Sequence, residues 1–337
     1  MANITSDDST AAHRSRGETA TGPMPPALFI SEPGGVRATE LTRGPWAHHV
    51  MHGGAICGVL GWTVEREQQR LGIAQVCSRL TVEILSGMPM ASYEVAATTV
   101  KGGKRTALVD AEVRAAPARD AERGSGRLMA RATSQWLTPT LGTAGSSSVD
   151  SMRIDDLDVT ESSPIPASGS LSNGRSLPPI PAERADPGAN PDIDYPRPGF
   201  NADAVDLRFV GGSTEEPGPG RTWLRLDHPL MAGEATSPLV QIATLADLGA
   251  AIGWDFSPSG GAYINTDVTL QLLRVPLGEW FYFDAATVGT AQGLAGTHTA
   301  IWDRHGQLGW VLQSQVEAPA EIGFPGGMAA AREGADR

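Results

Sequence analysis

Residues 81–89 read TVEILSGMP and residues 268–276 read VTLQLLRVP, so two distant stretches of the chain share one pattern. An aromatic side chain stands four positions after each closing proline, Tyr93 in the first stretch and Trp280 in the second. Similarity that returns after about 185 residues indicates a duplicated unit. A chain of 337 residues has room for two domains of ordinary size.

The two stretches have similar surroundings. In the first half, a helical pattern over 55–70 precedes strand-like runs over 74–85, 91–100, 105–115 and 127–137. In the second half, runs over 205–210 and 221–226 lead into a helical pattern over 238–253 and then into runs over 262–273, 279–288, 293–302 and 307–316. One helix followed by hairpin-joined strands is typical of an α+β fold. We therefore predict two tandem units, each with one long helix packed on a curved antiparallel sheet, joined into one continuous sheet.

Composition sets the boundaries of these units. Residues 1–26 predict a disordered tail, and the Pro-, Ser- and Gly-rich residues 139–202 predict a linker that can carry short ordered pieces on the surface. The predicted units are residues 27–138 and residues 203–322, and residues 323–337 predict a second loose tail.

Charge and motif content exclude several classes of protein. The formal net charge is −12, which argues against nucleic acid as a partner. The sequence shows no apolar run long enough for a membrane span and no signal-peptide pattern, and its two cysteines exclude a disulfide scaffold. We therefore expect a cytoplasmic protein. Since the G-x-S-x-G, P-loop, G-x-G-x-x-G and H-E-x-x-H motifs are not found, we predict no metal and no cofactor.

One carboxylate lies on an apolar helix pattern. Asp247 follows Ala243 by four positions, which puts it beside the apolar stripe of residues 238–252. Partial desolvation there favours a general base, whereas a turn cap or an ion pair with Arg274 is the structural alternative. Asn265 and Gln313 lie in apolar strand patterns, where each can satisfy a backbone group or join Asp247 around a water molecule.

A second feature is His52-Gly53-Gly54 at the start of the first helix pattern. Glycine there lets a substrate carbonyl approach the backbone, and free N–H groups at a helix N-terminus can polarise that carbonyl. We predict that these three residues bind substrate; an ordinary glycine-rich turn is the alternative.

These motifs resemble those of the double-hotdog acyl-CoA thioesterases, the acyl-CoA thioesterase II family. In the first half the resemblance rests on residues 42–46 (TRGPW) and on His52-Gly53-Gly54. In the second half it rests on residues 246–248 (ADL), 264–269 (INTDVT), 274–280 (RVPLGEW), 293–295 (GLA), 302–306 (WDRHG) and 312–314 (LQS). The resemblance implies a double hotdog, in which each predicted unit is one hotdog unit.

The resemblance also implies hydrolysis of acyl-CoA thioesters without a metal or cofactor. In that family an Asp, a Ser or Thr and a Gln bind and activate the hydrolytic water. These positions fall on Asp247, Asn265 and Gln313, with Gln315 as an alternative to Gln313. Asn265 departs from the family's hydroxyl residue, although an amide can also hydrogen-bond water. The implied partner is acyl-CoA, and a homodimer stays open.

Other functions compete with this interpretation. The same scaffold could bind an acyl-CoA without cleaving it, an alternative that the Asn265 departure motivates. A hotdog hydratase is disfavoured because its G-D-x-N-P-[LIV]-H type of segment is not found. Cys57 lies near a helix N-terminus, where thiolates are favoured, but no partner base is identifiable and a buried helical cysteine is usually only small and apolar.

Overall fold

The computed structural model describes residues 24–45, 49–116, 126–139, 176–185 and 197–318. In the first half, these residues contain one α-helix, α1 (Gly53–Arg70). The strands of this half are β1 (Phe29–Glu32), β2 (Gly35–Ala38), β3 (Val76–Ile84), β4 (Ser92–Lys101), β5 (Thr106–Ala115) and β6 (Leu128–Leu137).

The second half repeats this order of elements. Its helical segments are α2 (Pro238–Ala246) and α3 (Gly249–Ile252). Its strands are β7 (Val205–Gly211), β8 (Gly220–Leu226), β9 (Tyr263–Leu272), β10 (Phe281–Gly289), β11 (Leu294–Asp303) and β12 (Gly306–Glu317). The ten strands expected from the sequence all lie within two residues of their predicted bounds, because alternation of apolar and polar side chains is a local signal.

The twelve strands form a single sheet in the order β1-β2-β4-β5-β6-β3-β9-β12-β11-β10-β8-β7. The order of the first six strands is the mirror image of the order of the last six. Strands β3 and β9 pair antiparallel at the centre, where Leu80 lies opposite Leu270 and Val82 opposite Val268. The sheet is therefore continuous across the two halves, and neither β3 nor β9 is an exposed edge.

The helices pack on one face of this sheet. Six side chains of α1 are 2% exposed or less and belong to one apolar core cluster that spans both halves: Ala55, Ile56, Cys57, Val59, Leu60 and Val64. Full burial of each isoleucine, valine or leucine side chain stabilises the fold by about 1.5–3 kcal/mol. The start of α1 lies against the end of α2, so the two helices run antiparallel and bring the halves together above the sheet.

The second half departs from the prediction of one long helix. The α-helix stops at Ala246, and Asp247 and Leu248 form a turn before the four residues of α3. Side chains from the sheet explain the interruption, because Asn265 and Gln313 both donate hydrogen bonds to the backbone carbonyl of Asp247. A carbonyl that is bonded to the sheet is drawn out of the helical hydrogen-bond ladder.

Parts of the predicted linker pack against the second half. Leu177 and Ile180 contact a buried aromatic cluster that contains Trp223, and the Trp223 indole donates to the carbonyl of Pro178. Residues 197–204 return to the core, where a π-helical turn (Phe200–Ala204) buries Phe200 completely. Residues 140–175 and 186–196 of the predicted linker, most of the first predicted tail and all of the second lie outside the described residues. None of the helices in the described part of the chain is long and apolar enough to cross a membrane.

Candidate functional site

Asp247 lies at the end of α2, and its side chain is buried between the two halves of the molecule. The residue is 6% exposed. Arg274, the structural alternative considered for it, instead forms a bidentate pair with the buried Asp303. Within the described ranges, the one basic side chain within 4 Å of the Asp247 carboxylate is that of His52. A buried carboxylate without an arginine or lysine partner can act as a proton acceptor.

The two amides singled out in the sequence both contact Asp247. Asn265 Nδ2 donates to Asp247 Oδ1 over 2.7 Å and lies 3.3 Å from the Asp247 backbone oxygen. Gln313 Nε2 donates to the same backbone oxygen over 2.9 Å. Asn265 therefore orients the carboxylate itself, whereas Gln313 fixes the backbone that carries it.

A local irregularity distinguishes Gln313 from its alternative, Gln315. The register of β12 against β9 shifts between Ser314 and Gln315. Gln315 accepts a hydrogen bond from the Thr297 hydroxyl over 2.8 Å, whereas Gln313 faces the end of α2. The geometry brings Gln313 to Asp247, and Gln315 has a partner in its own sheet.

His52 caps the N-terminus of α1 and also faces Asp247. Its Nδ1 accepts the backbone N–H of Gly54 over 3.0 Å and lies 3.2 Å from Asp247 Oδ2. The imidazole ring stacks on Phe200, with ring centroids 4.3 Å apart and planes 13° apart. Burial lowers the pKa of His52 below its ordinary value, and the negative charge of Asp247 opposes that shift. Imidazole is therefore held mainly in its neutral form.

The two glycines after His52 are required by protein packing. A Cβ on Gly53 would lie 2.6 Å from both carboxylate oxygens of Asp247. A Cβ on Gly54 would lie 2.5 Å from the Thr244 carbonyl oxygen and 2.6 Å from Phe200. Gly53 thus lets the carboxylate approach the backbone at the start of α1, and Gly54 lets α1 and α2 pack closely. Protein atoms thus occupy the Cβ side of both glycines, whereas contact of a substrate carbonyl with the backbone N–H groups there stays a prediction.

Three buried polar atoms at the site have no hydrogen-bond partner among the described residues: Asn265 Oδ1, Gln313 Oε1 and Thr299 Oγ1. Buried polar atoms are normally paired with protein or with bound water. The Thr299 and Gln313 atoms lie 2.3 and 2.7 Å from the position of a Cβ on Gly249, so the start of α3 covers them. Asn265 Oδ1 remains as an acceptor beside the Asp247 carboxylate.

Cys57 does not have the properties of a nucleophile. The thiol is fully buried, and burial together with the nearby negative charge of Asp247 raises its pKa well above the ordinary value. A thiol in this environment stays protonated and is a poor nucleophile.

Sequence reasoning missed Phe200 and Thr299. Phe200 lies in a stretch that is rich in Pro, Gly and Asp, so its composition predicted a linker. Thr299 is one of two threonines in β11, and no pattern in the sequence separates it from Thr297. Only the contact of Phe200 with His52, and the approach of α3 to Thr299, connect them with the site.

Family models match both halves of the chain. Residues 42–135 match the model of the acyl-CoA thioesterase N-terminal domain, and residues 175–314 match that of the acyl-CoA thioesterase C-terminal domain. The second match begins inside the predicted linker, consistent with the packing of Leu177 and Ile180. Comparison with curated proteins returns no match.

Solved structures resemble the chain over most of its length. A candidate thioesterase from Novosphingobium aromaticivorans is 16% identical with a TM-score of 0.57, and the match covers 87% of this chain and 99% of that protein. An acyl-CoA thioesterase II from Mycobacterium marinum is 12% identical with a TM-score of 0.52, covering 85% and 94%. A protein with a hotdog fold from Alicyclobacillus acidocaldarius is 12% identical with a TM-score of 0.52, covering 87% and 96%. At such identities these likenesses establish the fold.

Proposed function

The chain belongs to the acyl-CoA thioesterase family. We propose that the protein hydrolyses acyl-CoA thioesters to a free acid and CoA, and that Asp247 activates the attacking water molecule. Thioester hydrolysis is the activity of the family. The assignment of Asp247, Asn265 and Gln313 to the reaction, and of the start of α1 to substrate binding, is the proposal.

The observation that carries the proposal is the environment of the Asp247 carboxylate. It is buried, one oxygen is bonded to Asn265 Nδ2 at 2.7 Å, and Asn265 Oδ1 is a buried acceptor beside it. A water molecule that donates one hydrogen to a carboxylate oxygen and the other to Asn265 Oδ1 directs a lone pair away from both. This arrangement gives Asn265 the role that the family's hydroxyl residue has.

The proposed reaction needs no covalent intermediate. The thioester carbonyl lies at the N-terminus of α1, whose N–H groups favour developing negative charge. Water attacks the carbonyl carbon while Asp247 accepts its proton, so the new C–O bond forms as the carbonyl oxygen becomes an oxyanion. When the oxyanion collapses, the C–S bond breaks and its electron pair leaves on the CoA sulfur, which takes up the proton. Gln313 holds the backbone of Asp247 in place during these steps.

We also infer that the architecture is a double hotdog with units close to residues 27–138 and 203–322. The mirrored strand order and the β3–β9 pairing support this inference. In this arrangement the interrupted helix α2–α3 corresponds to α1, and residues 139–202 connect the units.

Substitution of Asp247 by Asn tests the proposal directly, since it removes the base and keeps the size of the side chain. We expect kcat for a panel of acyl-CoA chain lengths to fall by about 100-fold or more, the usual contribution of a general base. The matched control is Asp267→Asn on β9, which changes a nearby carboxylate that accepts the backbone N–H of Ser314. Unchanged hydrolysis by Asp247→Asn would refute the assignment.

The alternative of a non-catalytic acyl-CoA binder gives a different result in the same experiment. The departure at Asn265 from the family's hydroxyl residue motivates it. Tight binding of acyl-CoA by the unmodified protein, without thiol release at any chain length, would favour the binder over the hydrolase. Thiol release by the unmodified protein that Asp247→Asn abolishes would favour the hydrolase.

A further inference from the structure

We propose that His52 couples binding of the thioester carbonyl to proton transfer: its Nδ1 holds the Gly54 N–H in the free enzyme, yields that N–H to the carbonyl oxygen, and then accepts the proton that Asp247 takes from water. This inference rests on the hydrolytic role proposed for Asp247. It changes the role of His52 from a substrate contact to a positioning and relay residue.

One nitrogen of His52 has two partners. Nδ1 of His52 lies 3.0 Å from the Gly54 nitrogen and 3.2 Å from Asp247 Oδ2. To accept the Gly54 N–H it must carry a lone pair, and to donate to a carboxylate it must carry a proton. One ring nitrogen cannot do both at once. In the structure Nδ1 accepts from Gly54, and we assign its contact with Asp247 to a second state in which a proton lies between the two side chains.

The ring itself is not free to alternate between positions. His52 is 6% exposed, and its face is covered by the stacked ring of Phe200. Its backbone is fixed as well, because the His52 N–H donates to the Thr42 carbonyl over 2.7 Å and its carbonyl accepts from Ala55. The two states therefore differ in the location of a proton and in the partner of the Gly54 N–H, with little movement of heavy atoms.

Substrate binding supplies the reason for the change. A carbonyl oxygen at the start of α1 competes with Nδ1 for the Gly54 N–H, and the oxyanion that forms there competes more strongly because its hydrogen bond is charge-assisted. Loss of the Gly54 N–H frees the lone pair of Nδ1. The proton that Asp247 has taken from water can then pass over the 3.2 Å contact to His52, which restores the carboxylate.

The proton and electron balance closes within the proposed hydrolysis. Water supplies the oxygen of the new acid and one proton, which moves to Asp247 and then to His52. The thiolate formed when the C–S bond breaks takes up this proton from His52 and leaves as the thiol. Neutral His52 then caps Gly54 again.

The electrostatic surroundings favour neutral His52 in the free enzyme. Asp247 faces it from the end of α2, Cys57 lies further along α1, and Asp267 on β9 acts on Cys57 from the sheet. Burial outweighs the carboxylate of Asp247 and lowers the pKa of His52. Cys57 stays a neutral thiol because its own pKa is raised.

The decisive variant is His52→Asn, which separates capping from proton transfer. Asparagine is a good N-cap, so its side-chain oxygen can still accept the Gly54 N–H, but the amide cannot take up a proton. We expect kcat to fall by about 100-fold with KM changed less than threefold, a change in the pH dependence of kcat, and an unfolding midpoint close to that of the unmodified protein. His52→Ser, another good cap, is expected to behave in the same way.

Two results would overturn the inference while leaving the role of Asp247 intact. One is a His52→Asn variant with kcat within threefold of the unmodified enzyme and the same pH profile, when Asp247→Asn is inactive. The other comes from nitrogen-15 NMR of the unmodified protein, which does not depend on the folding of a variant. We expect Nδ1 of His52 to be unprotonated and bonded to Gly54 in the free enzyme. The Gly54 amide resonance should shift on addition of a non-hydrolysable 2-oxoalkyl-CoA, and a Gly54 amide that keeps its bond to Nδ1 in that complex would contradict the proposal.

Discussion

The two ends of the α1–α2 helix pair have related but unequal polar contacts. At one end His52, the cap of α1, faces Asp247 of α2; at the other end Ser237, the cap of α2, donates its hydroxyl to Glu65 of α1 over 2.9 Å. Each helix thus presents an acid to the capping residue of the other. Duplication of the unit produces such a pair at both ends, and the surroundings of the pair decide what it can do.

These surroundings differ in three ways. Asp247 accepts a hydrogen bond from the Asn265 amide on β9, whereas Glu65 lines a groove of about 830 Å³ and is bonded only to Ser237 among the contacts of the described residues. The first position of the helix is Gly53 in α1 and Pro238 in α2, so only one end lets a carboxylate approach the backbone. Burial raises the pKa of Glu65, and the Ser237 hydroxyl opposes the shift. A carboxylate that faces a helix cap therefore does not by itself define the candidate site. The amide of Asn265 and the glycine at position 53 distinguish it from the Glu65 end.

Substitution of Gly53 by Ala is expected to have the largest effect on this contrast. The new methyl group would lie 2.6 Å from both oxygens of Asp247, so the carboxylate must move or the helices must separate. We expect kcat/KM to fall by about 100-fold or more, as misplacement of a reacting group by about 1 Å can cause. Steady-state assays with one acyl-CoA measure the loss. Pro238→Ala at the equivalent position of α2 is the control, and an equal loss in both variants would contradict the contrast.

Removal of the strand amide should have an intermediate effect. Asn265→Ala leaves Asp247 Oδ1 without its donor, and an unsatisfied buried group costs about 1–3 kcal/mol. We expect kcat to fall about 10- to 100-fold, with a lower midpoint of chemical denaturation. The counterpart in the sequence repeat is Ser78, whose hydroxyl bonds to Gln135 of its own sheet. Ser78→Ala should therefore leave kcat within twofold, and comparable losses would show that the two positions are not functionally different.

The smallest expected effect is a change in the pH dependence of stability at the Glu65 end. Burial raises the pKa of Glu65 above 4.5, so its ionisation destabilises the fold as the pH rises through the folded-state value. Glu65→Gln should therefore increase the free energy of unfolding at pH 7 relative to the unmodified protein, and the difference should vanish below pH 4.5. Urea denaturation at several pH values measures this difference.

Glu67, on the same groove, gives the opposite sign and serves as the control. Hydrogen bonds from Arg70 and Thr99 lower its pKa to about 2. Its contribution to stability is present above pH 4.5 and is lost as the pH falls toward 2, so Glu67→Gln should destabilise the protein at pH 7. A change of the free energy of unfolding at pH 7 in the same direction for Glu65→Gln and Glu67→Gln would contradict the opposite pKa shifts of the two carboxylates.

The sequence predicted strand positions well and side-chain contacts unevenly. Strand bounds follow from local alternation. The repeat predicted two units in one continuous sheet, but it did not specify that β3 pairs with β9, with Val82 opposite Val268. The turn at Asp247 could not be predicted in this way, because the donors that interrupt the helix come from β9 and β12. A pattern along one element contains no information about a partner that lies on another.

The site shows the same limit. Asp247, Asn265 and Gln313 were each unusual within their own segment, and the structure brings all three together. The contact of His52 with Asp247 joins the two halves and had no local signal. The packing of α1 against α2 at Gly53 and Gly54 had none either.

The central β3–β9 pairing has a consequence for the evolution of the two repeats. His52 and Gly53 come from one repeat, and Asp247, Asn265 and Gln313 come from the other, so neither repeat encodes the whole constellation. A substitution in one repeat therefore has to remain compatible with the residues that the other repeat contributes, so the two repeats are expected to co-evolve. Because the two repeats are fused in one chain, two different units always pack together. A homodimer of single units contains two identical units instead.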